Sequence, residues 1–146
     1  MKMNFNRPLI LASKSPRRRQ LLSEAGFEFD VRTKEVAENY PADLDYKEVA
    51  SYLAAKKASA LLPEIEDEII IASDTIVVCD GHILGKPTNQ QDEIDHYIAK
   101  FSPYDKAGSY GIQEWIGMIG ITKITGSYYT VMGLPVHRLY EELMQF

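Results

Sequence analysis

Leu9-Ile10-Leu11-Ala12-Ser13-Lys14-Ser15-Pro16-Arg17-Arg18-Arg19-Gln20-Leu21-Leu22 is the stretch whose reading decides the fold. An apolar run from Leu9 to Ala12 enters a polar elbow and leaves it as a helix. Ser15 has the side chain of an N-cap, and Pro16 has the fixed φ suited to the first helical position. Leu21, Leu22 and Ala25 then fall on one helix face, and Gly26 supplies a stop. The three arginines stand at the positive end of the helix dipole, which repels cations. A merely solvated basic turn gains nothing there. Amide N–H groups and guanidinium forks together therefore read as an anion site suited to a phosphate chain.

The chain has 146 residues, which suits a single domain spanning residues 1–146. With 45% hydrophobic and 25% charged residues it can form an ordinary globular core. A net charge of −5 makes the arginine cluster local, which argues against a nucleic-acid surface. The one cysteine, Cys79, cannot form an internal disulfide. No apolar run approaches the roughly 18 residues of a membrane span, and Met1 to Pro8 lacks a signal-peptide core. We expect a cytoplasmic protein that meets no membrane.

Further along, Phe27 to Arg32 alternates as a strand would, with Phe27, Phe29 and Val31 on one side. Lys34 to Leu44 has no apolar period and reads as loop. Asp45 to Leu62 is the clearest helix, with Asp45 as cap and Glu48 at the N3 position of a capping-box-like pair. Its buried stripe is Val49, Leu53, Ala60 and Leu61. Lys57 falls inside that stripe, whereas Lys47, Ser51, Tyr52 and Ser59 fall outside it. A lysine there either snorkels or holds its charge in a cleft against phosphate. Glu68 to Cys79 is a nearly continuous β-branched run, as in a strand buried on both faces. Asp74 interrupts it, and a carboxylate in that setting is costly unless it is paired or binds a metal.

Asp80-Gly81 signals a two-residue hairpin that pairs Cys79 with His82 and returns Lys86 close to Asp74. Asp92 to Lys100 reads as a short helix. Ser102 to Gln113 reads as a glycine-containing loop, and Trp115 to Ile124 and Tyr128 to Met132 as strands. Gly133-Leu134-Pro135 opens a last helix with Val136, Leu139, Tyr140 and Leu143 as its stripe. Trp115 and the tyrosines read as core and cleft wall. The alternating βα units at the start give an α/β class, a mixed twisted sheet flanked by helices, with the site in a cleft at strand ends.

Leu11-Ala12-Ser13-x-Ser15-Pro16-Arg17-Arg18-x-x-Leu21-Leu22 resembles the signature of the Maf family of nucleoside triphosphate pyrophosphatases. Ser73-Asp74-Thr75, Lys86-Pro87 and Asp-Lys-Ala-Gly-x-Tyr-Gly-Ile-Gln, residues 105–113, match further motifs of that family. The resemblance implies a Maf/ITPase-like fold and cleavage of a nucleotide between its α and β phosphates. It implies that Asp74 deprotonates or orients the attacking water. Arg17 and Arg18 would clamp the polyphosphate, helped by Ser13, Ser15, Lys57, Lys86 and Lys106. Gln113 would meet a base edge, because its amide both donates and accepts.

Glu38 reads from sequence alone as a solvated loop carboxylate. The resemblance turns Glu38, with Asp74, into a ligand of a divalent metal cation, Mg²⁺ or Mn²⁺. It also implies a homodimer. Arg17, Thr75 and Gln113 match the subgroup that acts on dTTP and UTP. Two other readings stand beside this one: a non-catalytic nucleotide-binding regulator linked to septum formation, and an inactive shortened copy.

The two matching blocks do not join as in the family. After Lys86-Pro87 the family continues through a helix and a strand with a Ser-Gly-x-x-His-x-Val-x-Thr-Gly-Val-like motif. Here Thr88-Asn89-Gln90-Gln91 passes straight into Asp92-Glu93, so the family segment is absent near residues 89–93. Since both flanks keep the named site residues, we expect a folded protein whose structure skips a stretch there, rather than a truly shortened chain. Cα spacing from Lys86 to Ile94 would distinguish the two.

Overall fold

In the computed structural model, which describes residues 5–79, 82–84 and 111–145, β1 (Leu9–Leu11) is the middle strand of a parallel sheet. β2 (Asp30–Val31) lies on one side of it and β3 (Ile69–Ile71) on the other, with Leu9 opposite Ile69 and Leu11 opposite both Val31 and Ile71. Because successive strand side chains face opposite ways, β1 feeds two cores. Leu9 and Leu11 pack with Leu21, Leu22, Phe27, Ile71, Leu134 and Leu143. Ile10 and Ala12 pack with Leu61, Ile65, Ile70 and Ala72. Helices on both sides of a parallel sheet give the expected α/β class.

The chain divides into two compact units, Met1–Asp74 with Gly126–Phe146, and Thr75–Thr125. The first holds the parallel sheet, α1 (Pro16–Glu24), α2 (Tyr46–Ser59), a 3₁₀ turn (Leu62–Glu64), and α4 (Tyr128–Met132) and α5 (Val136–Leu143). The second holds the antiparallel pair β4 (Val77–Cys79) and β5 (His82–Leu84), and α3 (Trp115–Gly120).

The elbow forms as its sequence dictates. Ser15 caps α1, its hydroxyl accepting from the Arg18 amide, and Pro16 occupies the first turn. Gly26 takes a φ of 85°, so its N–H reaches the Ser23 carbonyl and the Phe27 N–H reaches the Leu22 carbonyl. That is a Schellman stop, with Phe27 and Leu22 buried together across it.

Several expectations need correction. The strand expected over Phe27–Arg32 shrinks to Asp30–Val31, and Val31 is exposed because nothing among the described residues covers that end of β2. α2 stops at Ser59, ahead of Pro63, and Asp45 caps the Lys47 amide rather than that of Glu48. The run from Glu68 to Cys79 is two strands in two different sheets, since β3 pairs with β1 and β4 with β5. Trp115–Gly120 and Tyr128–Met132 are helices, not strands. Their β-branched and aromatic composition favours a strand only where a partner ladder exists. Without one, a helix closes its own backbone hydrogen bonds. In α3 this leaves Met118 and Ile119 75% and 60% exposed. Tyr140 and the described tyrosines 40, 46, 52, 128 and 129 are exposed rather than core.

The hairpin register is as expected, with Cys79 opposite His82. The Asp80-Gly81 turn, Lys86, the Asp92–Lys100 helix, most of the 102–113 loop with Lys106, and the junction near residues 89–93 lie outside the described residues.

Candidate active site

Three charged groups meet where β3 ends. The Lys57 ammonium donates to Asp74 Oδ2 at 2.5 Å and to Glu38 Oε1 at 2.9 Å. The side chains of Asp74 and Lys57 are 14% and 21% exposed, while that of Glu38 is 53% exposed. The trio therefore runs from a half-enclosed pair out to a solvent-facing carboxylate. Each member comes from a different kind of segment. Lys57 continues the line of buried Val49 and Leu53 on α2, spaced by four residues, so its stem lies along the apolar stripe. Asp74 is three residues beyond β3 at the carboxyl end of a parallel sheet, the usual place for ligands in such folds. Glu38 stands in the irregular stretch before α2.

Burial lowers the Lys57 pKa, but hydrogen bonds to Asp74 and Glu38, and the charges of both, more than offset it. The ammonium ends above its ordinary value of 10.5. Lysine snorkelling alone does not describe this residue, because its head meets two carboxylates.

Beside the trio, Arg18 ties four segments together. Its Nε donates to the Gly133 carbonyl at 2.9 Å, and one Nη donates to the Ser73 carbonyl at 2.6 Å and to Ser13 Oγ at 3.3 Å. Burial lowers the Arg18 pKa and the nearby Arg17 adds to that, while Asp74 and Glu38 act in the opposite direction. Ser13 is 6% exposed and also accepts from the Ser15 N–H, so it serves the elbow internally. Arg17 is half-buried on the first turn of α1.

Ser73 and Gly133 are contributors that sequence reasoning passed over. The Ser73 hydroxyl donates to the Gly133 carbonyl at 3.0 Å. Gly133 ends α4 with a φ of 126°, a conformation that favours glycine and turns its carbonyl toward both donors. A glycine directly after a helix was the available signal.

Of the other expected site residues, Thr75 is half-buried and Gln113 exposed, and both belong to the second unit. Lys86 and Lys106 lie outside the described residues. Two carboxylates already converging on one cation have the hard oxygen donors that Mg²⁺ or Mn²⁺ takes, so the residues fit such an ion. No cluster of three or more His, Cys, Asp or Glu side chains gathers among the described residues. Phosphate oxygens and water would supply the remaining ligands.

The sequence profile of the Maf-like protein family matches residues 8–93 and 90–146. A dTTP/UTP pyrophosphatase of Parabacteroides distasonis is 39% identical over 184 residues, covering 94% of this chain and 95% of that protein. One from Phocaeicola vulgatus is 41% identical over 181 residues, covering 92% and 94%. One from Porphyromonas gingivalis is 39% identical over 186 residues, covering 94% of each. These alignments are longer than the 146 residues of this chain, so the relatives carry positions with no counterpart here. The profile's two pieces meet at residues 90–93, where the sequence departs from the family pattern.

Proposed function

This chain belongs to the Maf family, and on that premise we propose that it hydrolyses nucleoside triphosphates, dTTP and UTP foremost, to the monophosphate and pyrophosphate. The observation that carries the reading is the Glu38–Lys57–Asp74 trio at the sheet's carboxyl end, with the arginine-bearing start of α1 in the same unit. Relatives named dTTP/UTP pyrophosphatase support the substrate.

Asp74 orients a water and takes its proton as the water oxygen attacks the α-phosphorus. The bond between that phosphorus and the α–β bridging oxygen breaks, and pyrophosphate leaves with the electron pair. Lys57 holds Asp74 in place and offers an ammonium to a phosphate oxygen. Arg17 binds the polyphosphate at the helix start, with Ser15 as cap, and Lys86 and Lys106 add positive charge. Arg18 and Ser13 act one step back, fixing the elbow against the end of β3. Glu38 and Asp74 would hold Mg²⁺ or Mn²⁺, which supplies neutralisation of phosphate charge. Positioning and neutralisation are most of what phosphoryl chemistry needs. Arg17, Thr75 and Gln113 set the pyrimidine preference. The working form is a cytoplasmic homodimer that binds no nucleic acid, and no helix among the described residues is long and apolar enough to cross a membrane.

Pyrophosphate release from a panel of dTTP, UTP, CTP, ATP and GTP with Mg²⁺ tests this. We expect dTTP and UTP to lead. Equal turnover of purines and pyrimidines would defeat the preference. No release from any of them would favour a binding protein or an inactive shortened copy.

A further inference from the structure

Glu38 is gripped from two sides by consecutive lysines of α2. Lys57 takes its carboxylate. Lys56 takes the backbone around it, its ammonium donating to the Ala37 carbonyl at 2.9 Å and the Asn39 carbonyl at 3.2 Å, with a further bond to Asn39 Oδ1. An ammonium has three donors, and here all three go to the residues flanking Glu38. The surrounding segment from Arg32 to Pro41 has no regular secondary structure and is largely exposed. Among the described residues, the side chains that hold Glu38 and its flanking backbone are Lys57 and Lys56, so the grip comes from α2.

We propose that Lys56 is a positioning residue that holds the Ala37–Asn39 backbone so that Glu38 faces Lys57 and Asp74 before any ligand arrives. The inference rests on the reading of that trio as the centre of a metal-assisted nucleotide hydrolase. A pre-ordered Glu38 binds its ion without first ordering the loop, so Lys56 acts on how much metal the enzyme needs. A different role is open to any lysine here: a cation in a helix's last turn favours the helix dipole whatever it touches. That role predicts a change in stability alone.

The test compares Lys56→Met, which keeps the stem and loses the charge, with Lys56→Arg, which keeps both. Backbone ¹⁵N NMR order parameters of residues 36–40 are measured in the metal-free, nucleotide-free protein. The Mg²⁺ dependence of dTTP turnover is measured alongside. Lys56→Met should lower the order parameters of this segment and need about tenfold more Mg²⁺ for half-maximal rate, with kcat recovering at saturating Mg²⁺. Lys56→Arg should restore both. Unchanged order parameters in Lys56→Met overturn the proposal, and so does lost order with an unchanged Mg²⁺ curve. If the wild type turns over no dTTP, the functional reading fails instead, and the order-parameter arm alone decides whether Lys56 orders the Glu38 segment.

Discussion

The Lys57 ammonium stands 2.5 Å from Asp74 Oδ2, joining the last turn of α2 to the segment that follows β3. A carboxylate just past a buried strand is costly unless paired, and this pair meets that cost with a lysine held along an apolar stripe. The pair makes stability depend on alkaline pH. The folded-state pKa of Lys57 lies above its ordinary 10.5. Its contribution is therefore complete below the unfolded value and is lost as pH rises through the folded one. Urea unfolding between about pH 9 and pH 12 should show an alkaline decline that Lys57→Met, already lacking the pair, shows less steeply.

Arg17 and Arg18 should separate cleanly. Replacing Arg18 by Met leaves the Ser73 and Gly133 carbonyls without their shared donor, which should cost about 3 kcal/mol in urea unfolding. Arg17→Ala should act mainly on substrate binding, raising KM for dTTP roughly tenfold. The reverse pattern would exchange their roles.

Gly117 in α3 admits no side chain, since a Cβ there would stand 1.8 Å from the Ile112 carbonyl oxygen. Gly117→Ala should destabilise the second unit by about 2 kcal/mol or more. Urea unfolding followed by circular dichroism checks this.

What the sequence disclosed follows from how local the deciding forces are. The elbow was legible because Ser15, Pro16 and Gly26 act within one helix, through caps that need no distant partner. Lys57 was legible as a misfit in an apolar stripe, and Asp74 as a misfit in a β-branched run. The break of that run into β3 and β4 was not legible. Ile69–Ile71 and Val77–Cys79 have the same composition, and only their partners, β1 and β5, set them in different sheets. Trp115–Gly120 misled for the related reason that a strand-like composition needs a neighbouring ladder. Lys56 carried no signal because its role depends on where residues 37–39 lie in space. Ser73 gives no local signal of its role because its partner, Gly133, is 60 residues away.

The central claim is that Asp74 performs hydrolysis at the α-phosphate in this chain, although the family segment near residues 89–93 is absent. The most direct measurement quantifies both products from dTTP with Mg²⁺, in the wild type and in Asp74→Asn, with nucleotide binding measured by calorimetry in parallel. The account predicts dTMP and pyrophosphate in equal amounts from the wild type. The variant should lose turnover by about 10³-fold or more while binding dTTP nearly as tightly, because the change removes the charge and keeps the size. Release of orthophosphate in place of pyrophosphate, or near-normal turnover in Asp74→Asn, would contradict it.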